Sequence, residues 1–438
     1  MANASNNTHL QLRLDQAKEE TKQLYSHLER LTKKNNDADL FSMAHNIDSL
    51  TGRNTIESSV ITRNYNNKNR FFSYGVNLKK VRTLNGHTNK IADVKWSKDS
   101  KHILTVSQDG FMIIWDPATG LKQNAVILNN QWVLAGAISP QNNLVASAGL
   151  NNNCTVYRLN EKDTIQQKII SIFKGHSCYI SEIEFLNNSQ IITASGDMTC
   201  CLWDIPKGKR IGEFSEHLGD VLSLSVDPSS SDPRVFASAG SDGYILLWDV
   251  RQPYTSNSIQ KFFASDSDIS SLKHFVDSNS IASGSDDGLI RLFDFRADCK
   301  ISEYSLKQQQ QLNNNYIPKS FDYRNHDNSI GEYKPSTISR FSNYSANSPI
   351  ISDYESANTA NFDTEGVISI DFSHSGRLMY SCYSEYGCVI WDLLKNEIVG
   401  KLEGHKNRIT KVKTSPDGYG VCTGSWDNTV NLWTPDYD

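Results

Sequence analysis

What this sequence lacks narrows it quickly. No apolar run in its 438 residues approaches the roughly 20 that a membrane-spanning helix needs. The opening MANASNNTHL has no signal-peptide character, Ala2 excludes N-myristoylation, and the ending TPDYD carries no prenylation motif. An excess of one charge is also missing. The formal net charge is −5, so nothing argues for a nucleic-acid binder that works through its field. The eight cysteines include no C-x-x-C pair, and only Cys200 and Cys201 adjoin. The chain therefore reads as soluble and cytosolic with reduced thiols, and no metal or cofactor is expected.

What is present is a repeat. Apolar residues make up 38% of the chain and aromatics 10%, enough for a sizeable core. Short strand-like segments keep ending on an aromatic residue, often within Trp-Asp: Trp115, Tyr157, Trp203, Trp248, Phe293, Trp391 and Trp433. Their spacings are 42, 46, 45, 45, 98 and 42 residues. All but the doubled interval match the roughly 40–45-residue period of a WD propeller blade. Between the landmarks, runs such as HILTVSQDGFMIIW alternate apolar and polar residues and are punctuated by turn pairs. That pattern predicts a four-stranded antiparallel meander per repeat. The expected fold is all-β, a seven-bladed WD-repeat β-propeller spanning 79–438. The segment 79–84 would close the ring by pairing with the last blade.

Six residues before each aromatic lies an acid or amide: Asp109, Asn151, Asp197, Asp242, Asp287, Glu385 and Asp427. Gly-His pairs open three units at His87, His176 and His405, and His217 keeps the histidine without the glycine. The expected arrangement is a lock in which the acid accepts from the imidazole, which donates to a hydroxyl that meets the indole N–H. Blade one would use His87, Ser107, Asp109 and Trp115. Blade three would use His176, Ser195, Asp197 and Trp203, and blade seven His405, Ser425, Asp427 and Trp433. Serine, histidine and aspartate also compose a nucleophilic triad. A catalytic group occurs once, however, and this set recurs with the blade, which favours a structural role. Blade two has no Gly-His, blade five has Ser265 in place of the histidine, and blade six lacks it and offers Glu385.

Outside the ring, the first 50 residues carry a helical pattern. Leu10, Leu14, Ala17, Thr21, Leu24, Leu28 and Leu31 form an unbroken heptad seam. One such helix cannot bury its seam alone, so a partner is implied: a second copy or a small helical protein. Residues 51–78 are aperiodic and rich in Asn and Ser, as a flexible linker would be. The doubled interval holds an insertion at 307–361 that reads as disordered. Within it Ser348-Pro349 fits a proline-directed kinase, although a bare Ser-Pro is common by chance.

These features together resemble heterotrimeric G-protein beta subunits. The resemblance is carried by the heptad helix, DADLFSMAHNID (37–48), SQDGFMIIWD, GLNNNCTVYRL, ASGDMTCCLWDI, SGSDDGLIRLFDFRAD and GSWDNTVNLW. The Tyr157 and Phe293 departures fall at the blades where that family also departs from tryptophan. The insertions look like those of fungal beta subunits in the mating-pheromone pathway. The resemblance implies a non-enzymatic transducer that pairs with a lipid-anchored gamma subunit at the cytoplasmic face of the plasma membrane. It would bind a GDP-bound alpha subunit, answer to a receptor indirectly, and signal to effectors or a kinase scaffold once released. Lys90, Trp132, Leu150, Tyr179, Asp220, Leu222, Asp268, Asp286 and Trp426 would meet alpha. This chain has Thr88, Ala92 and Phe111 where the family usually has larger groups.

The residues alone point to the same surface. Each blade's first strand is expected to begin with an apolar residue: Ile91, Val133, Ile180, Val221, Ile269, Val367 or Ile409. The residues just before them, Lys90, Trp132, Tyr179, Asp220, Asp268, Gly366 and Arg408, would share one rim, with the aromatic-plus-charge composition of an interface hot spot. A WD scaffold that dimerises through its coiled coil, or a propeller enzyme, are the competing readings. Self-association would mark the first. For the second, no unpaired acid, metal-ligand cluster or phosphate loop stands outside the repeat.

Overall fold

The computed structural model describes Val76 and residues 78–159, 168–228, 233–252, 257–307 and 365–435. The heptad seam from Leu10 to Leu31, most of the 51–78 segment and Ser348 lie outside the described residues.

Among the described residues the strands assemble into seven antiparallel sheets of four. Six sheets follow the chain in order, as in blade one with Ile91–Trp96, Ile103–Ser107, Phe111–Trp115 and Lys122–Ile127. The seventh takes three strands from the C-terminal end, Ile409–Thr414, Val421–Ser425 and Thr429–Pro435. Its outer strand is Leu78–Asn85, with Thr83 opposite Asn431 and Leu84 opposite Val430. The N-terminal strand thus covers the edge that the last strand would otherwise leave open. The inner strands start at the seven apolar residues read from the sequence, all buried, and neighbouring inner strands touch around a closed circle. The fold is a seven-bladed β-propeller.

Its core lies between blades rather than inside any one of them. Seven apolar clusters each bridge two neighbours; one joins Leu84, Cys422 and Val430 of the last blade to Ile91, Ile103 and Trp115 of the first. No blade can bury its face alone, so the ring is the folding unit.

A second tie runs around the channel and was not read from the sequence. The third residue of an inner strand accepts the amide N–H of the fourth residue of the next blade's inner strand. Gly136 N donates to Asp93 Oδ2 at 3.0 Å, Leu224 N to Glu182 Oε2 at 3.0 Å and Leu272 N to Ser223 Oγ at 3.1 Å. Ile370 N donates to Ser271 Oγ at 2.9 Å, and Val412 N to Ser369 Oγ at 3.2 Å. These side chains are buried, so each bond satisfies an amide that would otherwise be stranded. The available signal was a polar residue recurring at the third position of the inner strands in every blade but the second.

The lock is present but built differently from the sequence expectation. In blade one the hydroxyl is Thr105, not Ser107: Thr105 Oγ1 lies 2.7 Å from His87 Nε2 and accepts Trp115 Nε1–H at 2.8 Å. His87 Nδ1 meets Asp109 at 2.9 Å. Thr193 and Thr423 take the same place in blades three and seven, instead of Ser195 and Ser425. The reason is register. The residue opposite the aromatic's indole lies ten positions before it, whereas the three serines lie eight before it. Ser107, Ser195 and Ser425 instead donate to the Asn89, Tyr179 and Asn407 carbonyls. Burial lowers the pKa of His87 and His405, against the raising effect of Asp109 and Asp427.

Blade four has the complete lock as well, with His217, Asp242, Ser238 and Trp248. In blade five Ser265 bonds Asp287 at 2.9 Å in the histidine's place. In blade six Glu385 does not act as the lock acid. Glu365 accepts the amides of Glu385 and Tyr386 at 2.9 and 3.0 Å, and Trp391 rests on Ser381.

Two results follow from this architecture. Thr193→Val leaves His176 Nε2 and Trp203 Nε1 buried without a partner, which costs about 2–4 kcal/mol by the usual penalty for such groups. A lowered denaturation midpoint checks it, and an unchanged midpoint would contradict the lock. Blades five and six also have all four strands without residues 308–364. Replacing that segment with a short Gly-Ser linker is expected to move the melting temperature by no more than about 3 °C, because loop length contributes little. Loss of the cooperative transition would show that the segment supplies part of a blade.

Candidate functional site

The rim residues are positioned by one repeated hydrogen bond. The carbonyl just before each inner strand accepts an amide N–H from the residue just after the second strand. Gln108 N donates to Lys90 O, Leu150 N to Trp132 O, Gly196 N to Tyr179 O and Ser241 N to Asp220 O. Asp286 N donates to Asp268 O, Ser384 N to Gly366 O and Trp426 N to Arg408 O. All seven lengths fall between 2.9 and 3.0 Å. Lys90, Trp132, Leu150, Tyr179, Asp220, Asp268, Asp286 and Trp426 are thereby brought to equivalent places on one rim. Leu222 sits one residue beyond Val221, at the bulge inside the fourth inner strand and half-buried.

Trp132 is 59% exposed and Leu150 is 51% exposed. The Trp132 backbone is held from two sides, by Asn130 and by the Leu150 amide. Gly149 permits this, since a Cβ there would come 2.2 Å from the Trp132 carbonyl oxygen. The indole stands in solvent while its anchor is rigid, the preorganised state in which ordering on binding costs little.

Charge divides the rim into two arcs. On blades seven and one, the Lys90 ammonium lies 3.9 Å from the Trp426 ring centroid and the Arg408 guanidinium 5.2 Å from it. On blades three to five, the Tyr179 hydroxyl donates to Asp220 at 2.8 Å. Burial and this aspartate push the tyrosine pKa up, and burial with the Asp268 charge raises that of Asp286. A partner of complementary charge pattern would therefore be oriented as well as held.

The sequence reading missed two rim residues, Leu218 and Met198, and one rim contact. Arg408 was placed at the rim but not joined to Trp426. Leu218, directly after the lock histidine of blade four, is 77% exposed. Met198 follows the lock aspartate of blade three at φ 67°, where other blades place Gly110, Gly243, Gly288 or Asn428. A methionine in a left-handed turn is uncommon, and Met198 projects an exposed apolar side chain there. The signal was an apolar residue where turn chemistry calls for glycine or asparagine.

A family profile described as "G protein beta WD-40 repeat protein" matches residues 12–310, and a second, "WD domain, G-beta repeat", matches residues 396–434. The chain is 48% identical over 434 residues to a Saccharomyces cerevisiae protein named guanine nucleotide-binding protein subunit beta, covering 98% of this chain and 92% of that one. It is 33% identical over 365 residues to the rice protein of the same name, covering 80% and 82%. A zebrafish subunit beta-5b shares 34% over 361 residues, covering 81% and 76%.

The chain belongs to the G protein beta subunit family. It is a heterotrimeric G-protein beta subunit, a signal transducer in a non-enzymatic family. The hydroxyl, histidine and aspartate sets of this beta subunit, with threonine in blades one, three and seven and serine in blade four, recur from blade to blade as structural locks. Among its described residues, no helix is long and apolar enough to cross a membrane.

Proposed function

We propose that this beta subunit pairs with a lipid-anchored gamma subunit through residues 10–34 and binds a GDP-bound alpha subunit through the rim. The rim observation carries the reading: one repeated backbone bond presents Trp132, Leu150, Tyr179, the acidic arc and the cation-stacked Trp426 together. Exposed aromatic and apolar groups beside fixed charges are the makings of an interface hot spot. After a receptor activates alpha, the same face is freed for effectors or a kinase scaffold, so alpha and effector compete for it. The heptad seam supports the gamma pairing, and gamma's lipid would hold the complex at the cytoplasmic face of the plasma membrane. The insertions and the likeness to the yeast protein favour a pheromone response.

Purifying the full chain from its native cells tests this. The expected companions are a small lipid-modified helical protein and, when GDP is present, an alpha subunit that leaves on nucleotide exchange. Recovery of self-associated chain alone would overturn the proposal in favour of a dimeric scaffold.

A further inference from the structure

Where blade three meets blade four, the rim departs from the rule its other junctions follow. The turn of one blade abuts the entry loop of the next. Asn152 Nδ2 of blade two donates to the Ser177 carbonyl at 3.1 Å, and Asn428 Nδ2 of blade seven to the Thr88 carbonyl at 3.3 Å. Ser177, Thr88 and Leu218 hold one position, since the amide of each donates to its own lock aspartate at 3.0 Å. Asn152, Met198 and Asn428 hold another, following Asn151, Asp197 and Asp427 at φ 59°, 67° and 67°. Blades three and four therefore meet through Met198 and Leu218. Both are exposed and apolar, and neither side chain supplies the amide donor of the equivalent junctions.

Every other non-glycine residue at positive φ among the described residues is Asn, Ser or Asp. Those side chains bond to nearby backbone and so offset the left-handed conformation, which a thioether does not. Met198 is also 45% exposed, so packing within the chain does not repay the strain. A strained apolar side chain held in solvent has its reason in something that covers it. The apolar strip continues outward over blade four. The Asp242 carboxylate accepts the Leu218 amide at 3.0 Å and the Tyr244 amide at 3.1 Å, and the Tyr244 ring meets exposed Phe263 edge-on at 5.3 Å.

Carboxylates border the strip. Asp220 lies half-buried two residues after Leu218, and Asp266 and Asp268 stand exposed three and five residues after Phe263. None of the three has an ion pair among the described residues. Glu216, by contrast, is matched by Lys261, whose Nζ lies 4.0 Å from it and 4.2 Å over the Tyr244 ring. We propose that Met198, Leu218 and Phe263 dock an amphipathic helix of a partner protein. Its apolar stripe would lie on the strip, and lysines or arginines along its flank would face Asp220, Asp266 and Asp268. Met198, Leu218 and Phe263 are outside the set proposed to meet alpha, so the inference stands whether or not the rim binds alpha.

The test uses the purified full chain and a fluorescent helical peptide of about 18 residues, with leucines at i, i+4, i+7 and i+11 and flanking lysines. Anisotropy is expected to show saturable binding at least about tenfold tighter than that of a scrambled peptide of the same composition. The same leucine stripe flanked by glutamates is expected to bind at least about tenfold more weakly. Met198→Asn with Leu218→Ser is expected to cost the lysine peptide about tenfold or more in affinity. Met198→Asn alone is expected to keep or raise the melting temperature, because asparagine suits the left-handed turn and restores a donor for the Leu218 carbonyl. If the double variant does not fold, Phe263→Ser takes its place. Equal binding of the scrambled or glutamate-flanked peptide, or unchanged affinity in the variant, would overturn the proposal. A fall in melting temperature with Met198→Asn would make Met198 part of the fold. A parent dimer in sedimentation that the double variant separates would make a second copy the occupant, and either result would overturn the proposal too.

Discussion

Replacing Trp132 with alanine is expected to weaken binding of GDP-bound alpha by about thirtyfold or more, from loss of about 2 kcal/mol. The argument rests on where the indole stands. Trp132 is 59% exposed in the free propeller, and its N–H has no partner among the described residues, so truncation opens no cavity and strands no buried group. The backbone keeps its bonds to Asn130 and Leu150, and Val133 beneath it remains buried. The melting temperature and gamma association are therefore expected to hold while alpha affinity falls. Calorimetric titration of the variant with alpha reads the first, and a thermal scan the second. A variant that folds normally and binds alpha as tightly as the parent would place the shared face elsewhere. A variant that unfolds would make Trp132 a core residue.

The blades were legible because the propeller repeats its punctuation. The aromatic, the acid six residues before it and the apolar start of each inner strand recur in register. Each instance corroborates the others, and all seven strand starts fall where they were read. The lock hydroxyl was misplaced because Ser107 and Thr105 lie on the same strand two residues apart and face the same side. Periodicity cannot choose between them; only the pairing of Thr105 with Ile113 across the strands does. The Glu365 substitution in blade six was hidden for a related reason. The acid arrives from the loop before the inner strand and not from the turn that supplies it elsewhere.

The rim was readable as a set of positions, since one residue before each inner strand is enough to locate it. Its chemistry was only half readable. The stacking of Lys90 and Arg408 on Trp426 joins the first and last blades, and proximity across a closing ring leaves no trace in local sequence. The inter-blade bonds of Asp93, Glu182, Ser223, Ser271 and Ser369 were missed because each looks like an isolated polar residue in a strand. Their common purpose appears once adjacent inner strands are seen side by side.

Changing Leu24 and Leu28 to aspartate is expected to abolish gamma association outright. Both residues belong to the heptad seam from Leu10 to Leu31, which lies outside the described residues, so the argument is one of sequence pattern. In a paired coiled coil the seam positions insert into the facing helix and lose their water. A carboxylate forced there without a partner costs several kcal/mol, and two on adjacent turns exceed what a short coiled coil gains. Pull-down with tagged gamma reads the loss directly. The variant is also expected to leave the plasma-membrane fraction, because the proposed anchor is gamma's lipid. Full retention of gamma would overturn the pairing. The two substitutions act on separate surfaces, which sharpens both. Trp132→Ala keeps gamma and the membrane while losing alpha, whereas the leucine variant loses gamma and the membrane first. If the rim substitution released gamma, or the seam substitution left the membrane fraction intact, the division of labour between helix and propeller would be wrong.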